Sequence, residues 1–248
     1  MSEYTIKALG PDTWDAFAAL AQRHGGGGFG CWCTWFHRDT HASPASRSTC
    51  THQGHGAEQG PDASVLCGAC PYGVQGTQAA GPEASPAVGT LSPRCGHSGR
   101  EVKEELVRQG RAHAALVFDG DVAVGWCQYG TPEELPGIHH RKEYLAGATR
   151  LPDYRLTCFF VDRKYRRKGV ASAALSGALE LIALQGGGLV EGYPRDTGGK
   201  KVSASFLYSC TRSLFERAGF SYDRPKSVSH CVMVKTVTPS AQRAPAGC

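Results

Sequence analysis

The chain has 248 residues and a formal net charge of +5, and no run in it approaches the ~18 consecutive apolar residues of a membrane span. This length fits one large domain, or one domain with an insertion. The positive charge is mild and spread out except at Arg163–Lys168, which suits small anionic ligands and argues against a dedicated nucleic-acid surface.

Tyr4–Leu9 alternates apolar and polar residues and predicts a first strand. Pro11 then opens a helix with the stripe Trp14, Phe17, Leu20 and Ala21, and Gly25–Gly28 stop it. The aromatic segment Phe29–His37 follows. It reads either as packing over a sheet edge or, through Trp32 and Trp35, as one wall of a substrate pocket.

Residues 42–99 are rich in Gly, Ala, Ser and Pro and show neither helical nor strand period. They read as a long, low-complexity, disordered insertion. Within it Cys67 and Cys70 have zinc-knuckle spacing, and Cys95 with His97 would complete a set. The second pair is irregular, so no metal ligands are assigned. Cys127, Cys158 and Cys231 sit inside apolar strand-like runs. With 11 cysteines, an odd number, and no basic n-region or apolar h-region in MSEYTIKALG, a reduced cytoplasmic protein is expected.

Arg100–Gln109 predicts an amphipathic helix with Val102, Leu106 and Val107 inward. Ala112–Phe118 and Val122–Tyr129 are strands joined by an Asp-Gly hairpin turn. The polar connection Gly130–Pro152 carries Glu133, Glu134, His139, His140, Glu143 and Tyr144. Leu156–Val161 is a buried strand. Asp162–Lys168 is a basic turn, and Gly169, Val170, Ala171 and Ser172 start a helix with Leu175, Ala178, Leu179 and Ile182 on one face. Strand, basic glycine turn and helix N-terminus together form an arrangement that can hold a diphosphate, because first-turn amides lack helical acceptors and the helix dipole favours an anion. Beyond it lie a strand at Leu189–Tyr193 bearing Glu191, a polar loop at Pro194–Lys201 and a helix at Ser205–Ala218. A strand pair at Phe220–Arg224 and His230–Val237 and a polar tail from Pro239 complete the chain.

Arg166-Arg167-Lys168-Gly169-Val170-Ala171 resembles the Arg/Gln-x-x-Gly-x-Gly/Ala signature of the GCN5-related N-acetyltransferase (GNAT) superfamily, whose turn binds the pyrophosphate of acetyl-CoA. Ser213–Phe220, SLFERAGF, resembles that family's helix-to-strand segment, commonly LYEKxGF. The resemblance covers about Arg100–Thr236 and, more loosely, Tyr4–His37. It implies an α+β, three-layer fold: a mixed, mainly antiparallel sheet with helices on both faces. The domain plan is then 1–41 as the first strand, helix and aromatic segment, 42–99 as the insertion, 100–238 as the acetyl-CoA-binding core and 239–248 as a tail.

The resemblance further implies an N-acetyltransferase taking acetyl-CoA and an amine acceptor, and a homodimer is compatible with it; the charge distribution and the lack of a long apolar run predict no nucleic-acid or membrane partner. Phe159, Phe160 and Val161 would pair their backbone with the pantetheine arm, and Arg166, Arg167, Lys168, Gly169, Val170, Ala171 and Ser172 would hold the diphosphate. The tyrosine that protonates the CoA thiolate in that family falls at Phe215, which cannot donate a proton. Tyr208, read as two turns earlier on the same helix, is the substitute acid. Glu191 leads as general base because it flanks the cleft, with Glu133, Glu134 and His139 behind it. A non-catalytic acyl-CoA-binding module and a zinc-dependent interaction protein are the alternative readings.

Overall fold

The computed structural model describes residues 4–26, 32–38, 98–199, 202–203 and 207–240. The Cys/His-containing stretch through His97, with its zinc reading, lies outside the described residues.

Among the described residues seven strands form one sheet. They are β1 (Thr5–Ala8), β2 (His113–Asp119), β3 (Val122–Gly130), β4 (Tyr154–Val161), β5 (Gly188–Gly192), β6 (Ser221–Ser227) and β7 (His230–Val237), in the order β1-β2-β3-β4-β5-β7-β6. Every neighbouring pair is antiparallel except β4 and β5. The helices are α1 (Trp14–Arg23), α2 (Gly99–Arg108), α3 (Arg141–Ala146), α4 (Val170–Leu184) and α5 (Arg212–Arg217).

The period-two patterns sort the core into two layers. On β2, Ala114, Leu116 and Phe118 face a cluster that includes Trp14, Phe17 and Leu20 of α1 with Val102 and Leu106 of α2. Ala115 and Val117 face the opposite way, onto Ala174, Leu175, Ala178 and Ile182 of α4. Helices therefore cover both faces, as the sequence predicts. The hairpin turn also lies where expected, with Gly120 at φ +59°.

Three local readings change. First, α2 begins one residue earlier than its apolar stripe suggests, because Ser98 and Glu101 form a capping box. The Ser98 amide donates to Glu101 Oε2 at 2.8 Å, and the Glu101 amide to Ser98 Oγ at 3.3 Å. Second, the polar connection after β3 contains α3, whose Tyr144 is fully buried against Tyr193 and Val232. Third, the helix read over Ser205–Ala218 spans only Arg212–Arg217 among the described residues. Leu207–Cys210 is a turn, and Arg195 bridges to Thr211.

Of the two aromatic readings, Trp32 takes the packing one. It is buried and stacks on Trp14 with ring centroids 6.3 Å apart. Beside it the Cys33 and Cys158 sulfurs lie 2.8 Å apart, and the Trp126 indole donates to Cys33 Sγ at 3.3 Å.

Phe215 of α5 is fully buried, edge-on to Phe159 at 5.9 Å and to Phe220 at 5.0 Å. Its ring lies so close to β5 that a Cβ added at Gly192 would overlap Cε1 and Cζ. A rigid ring against sheet backbone has little room to retreat. Gly192→Ala should therefore lower stability by about 1–3 kcal/mol, seen in thermal denaturation as a fall in Tm of roughly 2–10 °C. An unchanged Tm would show that the ring moves aside at no cost.

Candidate functional site

β4 and β5 are held together over three residue pairs only, Tyr154–Val190, Arg155–Glu191 and Leu156–Gly192. Past Leu156 the strands separate, while β4 stays paired with β3 out to Val161. Backbone groups alternate along an antiparallel pair. Since the Asp162 amide donates to Val124 O at 2.9 Å, the Phe160 amide also faces β3, and those of Phe159 and Val161 face the gap. Of the three strand residues predicted to meet a ligand by backbone, Phe159 and Val161 are thus oriented for it and Phe160 is not. The Phe160 ring stacks on Trp126 at 4.6 Å, on the α1 side. The Phe159 amide is engaged already, donating to Tyr208 O at 2.6 Å.

The turn leaving β4 ends at the start of α4. Asp162 Oδ1 accepts from the Lys164 amide at 3.0 Å and fixes a single helical turn at Arg163–Tyr165. Arg167 at φ +61° and Gly169 at φ +85° both lie in the left-handed region, which costs the arginine about 1 kcal/mol or more. Arg166, Arg167, Lys168 and Gly169 are exposed, and nothing lies within 4 Å of a Cβ built at Gly169. The first helical bond of α4 runs from the Ala173 amide to Gly169 O at 3.0 Å, so the amides of Val170, Ala171 and Ser172 precede it and have no helical acceptor. No acidic residue sits in the first turn of this 15-residue helix. Open space, a glycine, three amides and three cations fit an anionic diphosphate well.

At the separation of β4 and β5 lies a narrow cavity. Thr157 comes from β4, Tyr193 from the end of β5, and Tyr208 and Ser209 from the turn before α5. Lys226 and His230 come from β6 and β7, and Phe36, Ile138 and His139 close the wall. Among the described residues, three buried polar atoms of this lining have no hydrogen-bond partner: Thr157 Oγ1, Ser209 Oγ and His230 Nε2. Each such orphan costs about 1–3 kcal/mol, and the cavity, of about 10 Å³, has room for about one water molecule, the usual partner of such groups. Trp35, the other aromatic predicted to wall a pocket, stacks on His139 with centroids 3.7 Å apart, while Phe36 does the lining.

The predicted acids and bases separate. Tyr208 is in the cavity, though on the turn and not on α5. Its ring is 5.8 Å from that of His139 and 6.5 Å from that of His230, and burial raises its pKa, which keeps it protonated. Glu191 is buried outside the cavity lining and accepts from Tyr144 Oη at 2.8 Å and Tyr193 Oη at 2.9 Å, with Arg224 Nη2 at 3.4 Å. Burial first, then the carboxylate, raises the Tyr144 pKa, and Tyr193 is raised mainly by burial; both phenols stay donors. Glu133 lies with Pro152, Tyr154 and Gly188 at the opening end of β4, a strand of 8 residues or about 25 Å from the basic turn. Glu134 is tied to His113 at 3.1 Å. His139 does line the cavity, and His230, Lys226, Ser209 and Thr157 join it without any local sequence signal.

Residues 88–191 match the family model described as "Acetyltransferase (GNAT) family". The match ends within β5 and bears out the resemblance read at Arg166–Ala171; Ser213–Phe220 lies beyond its end. No curated protein matches the chain. Among solved structures the chain is similar to a GNAT-family protein of Desulfovibrio desulfuricans, with 22% identity over 60% of this chain and 85% of that one and a TM-score of 0.37. An acetyltransferase of Thermus thermophilus is 17% identical over 56% and 73%, with a TM-score of 0.34. The ribosomal-protein-S18-alanine N-acetyltransferase of Escherichia coli is 12% identical over 54% and 74%, with a TM-score of 0.32. Among the described residues no helix is long and apolar enough to cross a membrane.

Burial, aided by Lys226, lowers the pKa values of His139 and His230 to about 4. The folded state thus prefers both rings neutral, whereas an unfolded histidine protonates near 6.5. Their contribution to stability is full above the unfolded value and declines as pH falls from about 6.5 toward 4. His230→Gln should accordingly lose less Tm than the native chain between pH 7 and 4.5. Equal losses would show that this imidazole is not held neutral.

Proposed function

We propose that this chain is an acetyl-CoA-dependent N-acetyltransferase acting on a primary amine. The observation that carries the reading is the separation of β4 from β5 directly beside the open, basic N-terminus of α4. A diphosphate at the amides of Val170, Ala171 and Ser172, screened by Arg166, Arg167 and Lys168, would direct the attached acyl chain along the gap edge of β4. There the Val161 amide is turned toward it, while the Phe159 amide is held by Tyr208 O. Acyl transfer to nitrogen needs a neutral amine held against the thioester, a donor for the carbonyl oxygen and a proton for the departing thiolate.

Tyr208 is the proton donor in this reading. Phe215, at the position where the family resemblance implies a tyrosine, is committed to packing against Gly192 and Phe159. Tyr208 stands instead on the turn that reaches across the same gap, with its carbonyl on the Phe159 amide. The three contacts of Glu191 support a structural role as the anchor of α3, β5 and β6. Glu133 is too far along β4 to serve the same reacting atoms. His139, neutral down to about pH 4, is the nearest of the predicted bases to the gap and can accept a hydrogen bond from the incoming amine.

Calorimetric titration should give micromolar-range binding of acetyl-CoA to the native chain. Gly169→Glu, which sets a carboxylate among the anion-binding amides and a side chain at φ +85°, should abolish it in a protein that still unfolds cooperatively. Retained affinity in that variant would remove the turn from the donor site. In steady-state assays Tyr208→Phe should cut kcat by about 10²-fold with acetyl-CoA affinity intact. An unchanged kcat would mean the thiolate leaves unassisted.

A further inference from the structure

We propose that Cys33 and Cys158 form a thiol–disulfide site, at which a peroxide joins the aromatic segment at residues 32–38 to β4. This stands apart from the N-acetyltransferase reading. The two sulfurs lie 2.8 Å apart, and both side chains are buried. They are within about 1 Å of the bonded S–S separation of ~2.05 Å, so closing the bond needs only a small shift of the side chains. What holds Cys33 in place is β3. Gln128, the register partner of Cys158, donates from Nε2 to Cys33 O at 3.1 Å. Trp126, two residues earlier on the same face, donates from its indole to Cys33 Sγ at 3.3 Å. The backbone bends to allow this approach. Trp32 at φ +50° and Cys33 at φ +55° both take the left-handed region, which residues with side chains keep only where their surroundings impose it.

The other described cysteines are placed differently. Burial pushes the Cys127 thiol well up, that of Cys210 to about 12 and that of Cys231 to about 11, which keeps all three in the unreactive protonated form. With hydrogen peroxide as the oxidant the chemistry at the pair balances. Cys158, 8% exposed against 3% for Cys33, meets the peroxide first. Its thiolate attacks one oxygen, the O–O bond breaks, and the departing hydroxide takes up the thiol proton as water. Cys158 is then a sulfenic acid. The Cys33 sulfur displaces the remaining hydroxyl, which leaves as a second water with the Cys33 proton. The Trp126 N–H favours the thiolate that this second step requires. Two thiols give up two electrons to one peroxide, and the products are one disulfide and two waters. The bond would close a loop spanning 125 positions and fasten the segment bearing Trp35 and Phe36 to the residue before Phe159.

The test is disulfide mapping of the full chain. Reduced protein, freed of reductant, is titrated with hydrogen peroxide, quenched in acid, alkylated in denaturant and digested with trypsin. Tandem mass spectrometry should find Cys33 joined to Cys158, in a pair lighter by two hydrogens than the separate peptides, and dithiothreitol should undo it. Oxidation should raise Tm by about 5 °C or more, reversibly, because the link restrains the unfolded chain. Cys33→Ser and Cys158→Ser should each lose the cross-link and the gain in Tm. Full alkylation of both thiols after peroxide overturns the proposal, as does Cys33 joined to a different cysteine or a gain in Tm that persists in either variant. A cross-link that leaves Tm unchanged overturns the fastening of the segment to β4. If neither variant folds, the map and the reversible shift in the native chain decide between these outcomes.

Discussion

One geometric constraint organises this molecule: the parallel pair β4–β5, the only one among the described residues of the sheet, is three residues long. Parallel strands need a covering crossover, here supplied by α4, and the crossover sets where β5 begins relative to β4. Because β5 ends at Gly192 and turns away, the second half of β4 keeps one partner and loses the other. Both the open turn and the donor-lined cavity are consequences of that mismatch. The turn follows the end of β4, and the cavity fills the angle between the diverging strands.

A divergent pair in mid-sheet needs support, and the chain provides it on both faces. On one, Phe215 packs against the bare backbone at Gly192 and against Phe159, bridging the two strands below the gap. On the other, Glu191 gathers phenols from α3 and the end of β5 and a guanidinium from β6. A buried carboxylate is costly unless its lone pairs are matched, and here two donors at 2.8 and 2.9 Å match one oxygen while Arg224 faces the other. The carboxylate that sequence position marks as the best base is thus a strut of the scaffold. Its place on the strand flanking the cleft was legible; the direction of its side chain was not.

The sheet itself was largely readable. The apolar strand runs of β2 and β3, the Asp-Gly turn, the aromatic run of β4 and the glycine at the head of α4 are local patterns with local causes, and each appears where the pattern puts it. α3 escaped because a helix of 6 residues with one buried tyrosine has no period to detect. The stretch before α5 was over-extended because its apolar residues fall at helical spacing, although Leu207–Cys210 instead reaches over to β4. Tyr208 was singled out on a mistaken helix, yet sits in the cavity for a different reason. Thr157, Ser209, Lys226 and His230 carry no signal at all in sequence, since they are brought together from β4, a turn, β6 and β7 by topology alone.

The bond from the Phe159 amide to Tyr208 O bears on something other than chemistry. A strand that loses its neighbour exposes unpaired amides, and such an edge is a template for pairing with foreign strands. Here the edge faces inward, and a single carbonyl of a turn is set against it at 2.6 Å. The turn acts as a guard on a sticky surface that the cleft cannot do without. The chain thereby covers one of the two amides that its split sheet turns to the gap, that of Phe159, and leaves that of Val161 open.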